Sequence, residues 1–225
     1  MPTPERAPSR LVADPDVSTV EPGAEPEAPA ETFADGPVPP VAEEHADLPH
    51  GDEAFERMWK AHPHNYLPEG SEYGANTDSP QVFADAGLPD YGNSCATRLS
   101  VMLNAIGEPI TPAKAKAAGV ARRPEYSHKT GLYYILAASE MWTYLTGTFR
   151  APDVTFPPKG RYQDASEFDA GFDSGIRPAM AGKHGIIAFD KIFSYGGTGH
   201  VDLFDGEQQS DGGPYQSQRV LIWYV

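Results

Sequence analysis

Apolar residues in this chain are spaced for helices up to Gly147 and for strands beyond it. In DEAFERMWKAHP (52–63), Phe55, Met58 and Trp59 fall at i, i+3 and i+4, and Pro63 ends the pattern. In NSCATRLSVMLNAIG (93–107), Ala96, Leu99, Met102, Leu103 and Ile106 make one stripe, and Gly107 closes it. PAKAKAA (112–118), with Pro112 at its first turn, and GLYYILAASEMWTYLTG (131–147) read as two further helices. Past Gly147, short β-prone runs at 153–156, 185–193, 200–204 and 219–225 alternate with Gly- and Pro-rich turns. DASEFDAGF (164–172) adds one or two helical turns, and 64–92, rich in Gly, Pro, Asn and Asp, reads as loop. Helices first and antiparallel strands afterwards specify an α+β fold with helices packed on one sheet.

The 225 residues suit one domain plus some surplus, and the surplus is the first fifty. Residues 1–50 hold one aromatic, Phe33, and eleven acidic residues against Arg6 and Arg10, or −9 of the chain's net −15. So little apolar surface cannot offset ordering entropy, so 1–50 is expected to be a disordered acidic tail and 51–225 the folded domain. The tail lacks the basic and apolar regions that start a secretory signal, and no run reaches the length of a membrane helix. The acidic balance, without basic clusters, argues against nucleic acid. With one cysteine there is no intrachain disulfide and no Cys-rich zinc site, so the fold needs no oxidising compartment.

That one cysteine, Cys95, stands at the first turn of its helix, behind the candidate N-caps Asn93 and Ser94. A helix N-terminus favours a thiolate and offers N–H donors to an oxyanion. A lone thiol more often serves as a small buried hydrophobe, so the chemistry turns on whether a base exists. Among seven histidines, His45, His50, His62, His64 and His128 lie in polar segments and read as solvated, and His184 reads as a loop residue. His200 differs: it opens the run HVDLF behind the glycine-rich SYGGTG, where another backbone or a substrate can approach closely.

Asp205-Gly206 is a favoured two-residue hairpin turn. With those as the loop, Phe204 pairs with Glu207, Asp202 with Gln209, and His200 with Asp211. Asp211 could then hold the imidazole as the third member of a triad. Asp202, two residues beyond His200 on the same strand face, is the rival. Cys, then His, then Asp is the chain order of papain-like thiol hydrolases. Arg98, one turn beyond Ser94, could order the loop before the nucleophile, meet a substrate carboxylate, or be a surface charge. Tyr91 and Asn93 read as packing and capping residues, and Trp59, Trp142 and Trp223 as core.

NSCATRLSVMLNAIG (93–107) resembles the Cys-Ala-x-Arg-Met-Ser helix of the fourth family of type VI secretion amidase effectors. KHGIIAFDKIFSYGGTGHVDLFDG (183–206) is similar to that family's second block, and EAFERMWKAHP (53–63) to its N-terminal helix. Leu99 stands where Met is common, and Phe204 where Trp is common. The resemblance implies a papain-like, NlpC-type cysteine peptidase fold, with N-terminal helices on a small antiparallel sheet. It also implies Cys95, His200 and Asp211 as catalytic residues; Asn93, Ser94, Arg98 and Asp202 are the neighbours that the residue spacing adds around them. The implied reaction is cleavage of peptidoglycan stems between D-glutamate and meso-diaminopimelate, without cofactor or metal. Export by a type VI system into a rival's periplasm and a matching immunity protein are also implied, while a monomer made without a signal peptide is the expectation from the chain itself. Contact with a component of the secretion system belongs to it; nucleic acid and membrane do not.

Overall fold

The computed structural model describes residues 47–63, 79–196, 199–206, 209–210 and 213–225. The acidic segment 1–46 and Asp211 lie outside the described residues. Helix α1 (Asp52–Ala61) buries Ala54, Phe55 and Met58, as its spacing predicts. A helix that the sequence reading took as loop follows: α2 (Ser79–Ala86) starts at Ser-Pro and buries Val82, Phe83 and Ala86. Its stripe is short, and the surrounding Gly, Pro, Asn and Asp residues hide it.

Helix α3 (Cys95–Ala105) holds the predicted stripe and ends with Gly107 at φ 93, where Glu108 N–H reaches Leu103 O. Helix α4 (Pro112–Ala117) is capped by Thr111 Oγ1 accepting from Lys114 N–H. The long helix expected over 131–147 is only half formed. Its first part is strand: β1 (Glu125–Tyr126) pairs antiparallel with β2 (Tyr133–Tyr134). Adjacent tyrosines suit a strand, and Ser127 Oγ accepts the N–H groups of Lys129 and Thr130 to build the turn. Helix α5 (Ala138–Thr148) is the remainder.

Strand β3 (Val154–Phe156) comes next. The expected turn or two at 164–172 is longer than predicted. Asp164 caps α6 (Ala165–Gly171), which runs through a π-helical segment, Phe172–Ile176, into α7 (Arg177–Met180). Strands β4 (Gly185–Ile192), β5 (Gly199–Phe204) and β6 (Ser217–Tyr224) complete an antiparallel sheet of order β3-β6-β4-β5.

Alternation along the strands builds two cores. Ile186, Ala188, Val201, Leu203, Leu221 and Trp223 face α1, α3 and α5. Ile187, Phe189, Phe204, Val220 and Ile222 face α6 and the π segment. Both faces are therefore covered, which accounts for the nearly continuous apolar runs of β4 and β6. Leu48 packs into the first core, and Trp59 and Trp142 lie against it. No helix among the described residues is long and apolar enough to cross a membrane.

Candidate active site

The nucleophile candidate sits where α2, α3 and the β4–β5 connection converge. Ser94 occupies the N-cap position of α3, but its Oγ does not cap. That oxygen shares a hydrogen bond with Ser79 Oγ (2.9 Å) and accepts one from Arg98 Nε (2.8 Å). Capping falls to Asn93, whose Oδ1 accepts the Cys95 N–H at 3.0 Å. The other end of the same carboxamide, Nδ2, donates to Tyr195 OH at 2.9 Å. The Cys95 N–H, expected to be open to an oxyanion, is thus already engaged. The helical ladder starts only at Arg98 N–H to Ser94 O, so the N–H groups of Ala96 and Thr97 also precede it. Tyr91, ahead of this turn, packs edge-on against Phe83. Its phenol pKa is raised, by burial first and then by the Glu125 charge.

The base candidate lies on the edge strand. His200 is 9% exposed; its ring rests on Tyr215, 4.2 Å between centroids, with Phe189 at 6.3 Å. Cys95 and His200 line one cleft of about 410 Å³, with Arg98, Asp202, Tyr195 and Tyr215 also on its wall. Arg98 is only 9% exposed, so it is not the surface charge that one reading allowed. Its Nε donates to Ser94 Oγ in the turn before the nucleophile candidate, and its place on the cleft wall leaves the substrate-carboxylate reading open as well.

The predicted hairpin register is wrong. Phe204 bridges to Gln209, not Glu207, and Ser210 N–H reaches Leu203 O. The loop therefore has four residues, 205–208, and Asp205-Gly206 does not close a tight turn by itself. Asp202 does not face Gln209 across a two-residue hairpin; it pairs with Ile187 of β4. Its Oδ1 accepts Leu203 N–H (2.8 Å) and stands 3.6 Å from His62 Nε2. His62, expected in solvent, is buried. The missed signal is spacing: His62 comes four residues after the fully buried Met58 and continues the apolar face of α1. Tyr195 and Tyr215 carried no sequence signal that separated them from other loop tyrosines.

The family profile for the type VI secretion system (T6SS) amidase effector protein 4, Tae4, matches residues 91–223. The chain belongs to this family of type VI amidase effectors. The match starts at Tyr91, just ahead of the cleft's cysteine, and runs through His200 into the last strand. Among solved structures, the chain is similar to Tae4 from Salmonella typhimurium in its effector–immunity system with Tai4. Identity is 24%, covering 80% of this chain and 99% of that one, with TM-score 0.50, so the two share a fold. Tae4 from Enterobacter cloacae is 20% identical over 79% of this chain and 99% of that one, with TM-score 0.49. No curated protein matches the chain.

Gly199, immediately before His200, has φ 127, and a Cβ there would lie 2.3 Å from Phe189 O and 3.0 Å from the Trp142 ring. Gly199→Ala is expected to cost about 2 kcal/mol, because a side chain is forced into a glycine-only conformation against backbone. The accompanying shift of β5 is expected to slow amide hydrolysis about 100-fold. Urea denaturation and initial rates on the folded variant check the two effects.

Proposed function

We propose that the protein is a cysteine amidase with a papain-like, NlpC-type site. In this reading it hydrolyses the bond between D-glutamate and meso-diaminopimelate in peptidoglycan stems and acts as an antibacterial effector in a rival's periplasm. The observation that carries this reading is the single cleft shared by a cysteine at a helix N-terminus and a histidine on the adjoining edge strand. Family membership supports amide hydrolysis as the reaction class.

His200 takes the thiol proton, and Cys95 Sγ attacks the carbonyl carbon of the stem peptide. The oxyanion is held by first-turn N–H groups of α3; that of Cys95 exchanges Asn93 Oδ1 for the substrate oxygen. His200 then protonates the departing amine, and water attacks the thioester to release a carboxylate and restore the thiol. Asp211 is assigned the role of orienting His200. The commitment of Asp202 Oδ1 to Leu203 N–H and His62 favours Asp211 over Asp202 for it. Arg98 holds the turn before the nucleophile through Ser94.

A solved relative is paired with the immunity protein Tai4; a cognate inhibitor that occludes the cleft is the corresponding partner here. The acidic segment 1–50 is read as a spacer, a recruitment segment or a remnant of a larger delivery protein. Purified sacculi digested by the wild type are expected to yield fragments with new D-glutamate and diaminopimelate ends by mass spectrometry, and Cys95→Ala is expected to yield none. Equal digestion by both removes the thiol mechanism, and digestion by neither removes peptidoglycan as the substrate.

A further inference from the structure

The proposed reaction leaves unused a buried acid–histidine pair beside the cleft. His62 is 1% and Asp202 2% exposed, with His62 Nε2 3.6 Å from Asp202 Oδ1. Removing two ionisable groups from water costs more than their attraction returns unless further hydrogen bonds hold them, and Leu203 N–H supplies one at 2.8 Å. A pair of apolar residues would fill the same space more cheaply, so the polar pair calls for another reason.

Its location gives one. Asp202 lies two residues beyond His200 on the same face of β5, and it lines the cleft. His62 follows α1 directly, and α1 packs on α3, whose first residue is Cys95. The pair therefore ties the strand that carries the base to α1, which packs on the helix that carries the thiol. A second His–carboxylate pair marks the opposite end of α1: His184 Nε2 is 3.5 Å from Asp52 Oδ1, with its ring stacked on Phe55 at 4.4 Å. Asp52 is almost fully exposed, so water screens that end. The buried end is the one that fixes geometry.

We propose that His62 and Asp202 are positioning residues, a polar lock that sets the separation of Cys95 and His200. The proposal rests on the reading of those two as nucleophile and base. It is tested by kcat and KM on a soluble stem peptide, together with the rate of Cys95 alkylation by iodoacetamide, which needs no substrate. His62→Phe is expected to lower kcat about 10- to 100-fold and to change KM by less than about twofold, since the base is displaced and the binding surface is not. Alkylation is expected to slow about fivefold or more, because proton removal from the thiol weakens with it. His62→Gln puts a carboxamide donor near the Nε2 position and is expected to recover kcat to within about threefold of wild type.

A folded His62→Phe with unchanged kcat and alkylation overturns the proposal. So does His62→Gln behaving as poorly as His62→Phe, which would make the site a matter of shape alone. Where His62→Phe does not fold, the more flexible His62→Met takes its place with the same expectations. If the wild type leaves the peptide intact, the peptidoglycan reading fails, while the alkylation rates still decide the lock.

Discussion

Replacing His200 by alanine is expected to slow amide hydrolysis by about 1,000-fold while the chain stays folded, the usual scale for removing a positioned general base. His200 is buried against Tyr215 and against Phe189 of the second core, and it also lines the cleft. Its truncation leaves room that water from the cleft can fill. The rate falls because the thiol loses its proton acceptor and the leaving amine its donor in one change. Combining His200→Ala with Cys95→Ala should therefore cost little beyond Cys95→Ala alone, since groups acting as one unit do not add. Initial rates, with near- and far-UV circular dichroism as the folding control, check this. Asp211→Asn and Asp202→Asn complete the set: loss of turnover with the second alone, both being folded, overturns the assignment of Asp211.

The largest stability effect is expected at Trp223. Its side chain is fully buried in the first core, between the sheet and the helices, and its Nε1 donates to Arg150 O at 2.9 Å. Trp223→Ala is expected to cost about 4 kcal/mol, from lost transfer energy and the cavity left behind. The indole bond adds to this, because Arg150 O loses its donor. Total stability for a domain is about 5–15 kcal/mol, so the variant sits near the edge of folding. Its thermal midpoint should drop by about 10 °C or more, measured by differential scanning calorimetry. Trp223→Phe keeps most of the volume and is expected to lose about 1.5 kcal/mol, which isolates the hydrogen bond from the packing.

The elements legible in the sequence were those in which one period dominated. Helices α1 and α3 bury the residues that 3.6 spacing selects, and β3 to β6 coincide with the β-prone runs. Cys95 and His200 stood out because each broke the pattern around it, one at a helix start and one behind a run of glycines. Illegible were features set by contacts distant in sequence. Tyr133 and Tyr134 continue an apolar run into α5, yet pairing with Glu125 and Tyr126 makes them strand. The hairpin after β5 takes a four-residue loop, although Asp205-Gly206 favours two, and the inferred opposition of His200 and Asp211 depended on that count. His62 looked solvated because its neighbours are polar; the carboxylate that draws it inward is 140 positions further along the chain.

Asn93 has a consequence for selectivity. Its side-chain amide offers a carbonyl oxygen to the Cys95 N–H and an amino group to Tyr195 OH. A peptide group carries the same kind of acceptor and donor, so in the proposed reaction a substrate amide would compete with Asn93 for these two partners. An incoming amide can replace both contacts at once, whereas an ester, lacking the N–H, leaves the tyrosine oxygen unserved. The proposed reaction thus predicts that an amide substrate is turned over faster than the matching ester, as initial rates on the pair would check.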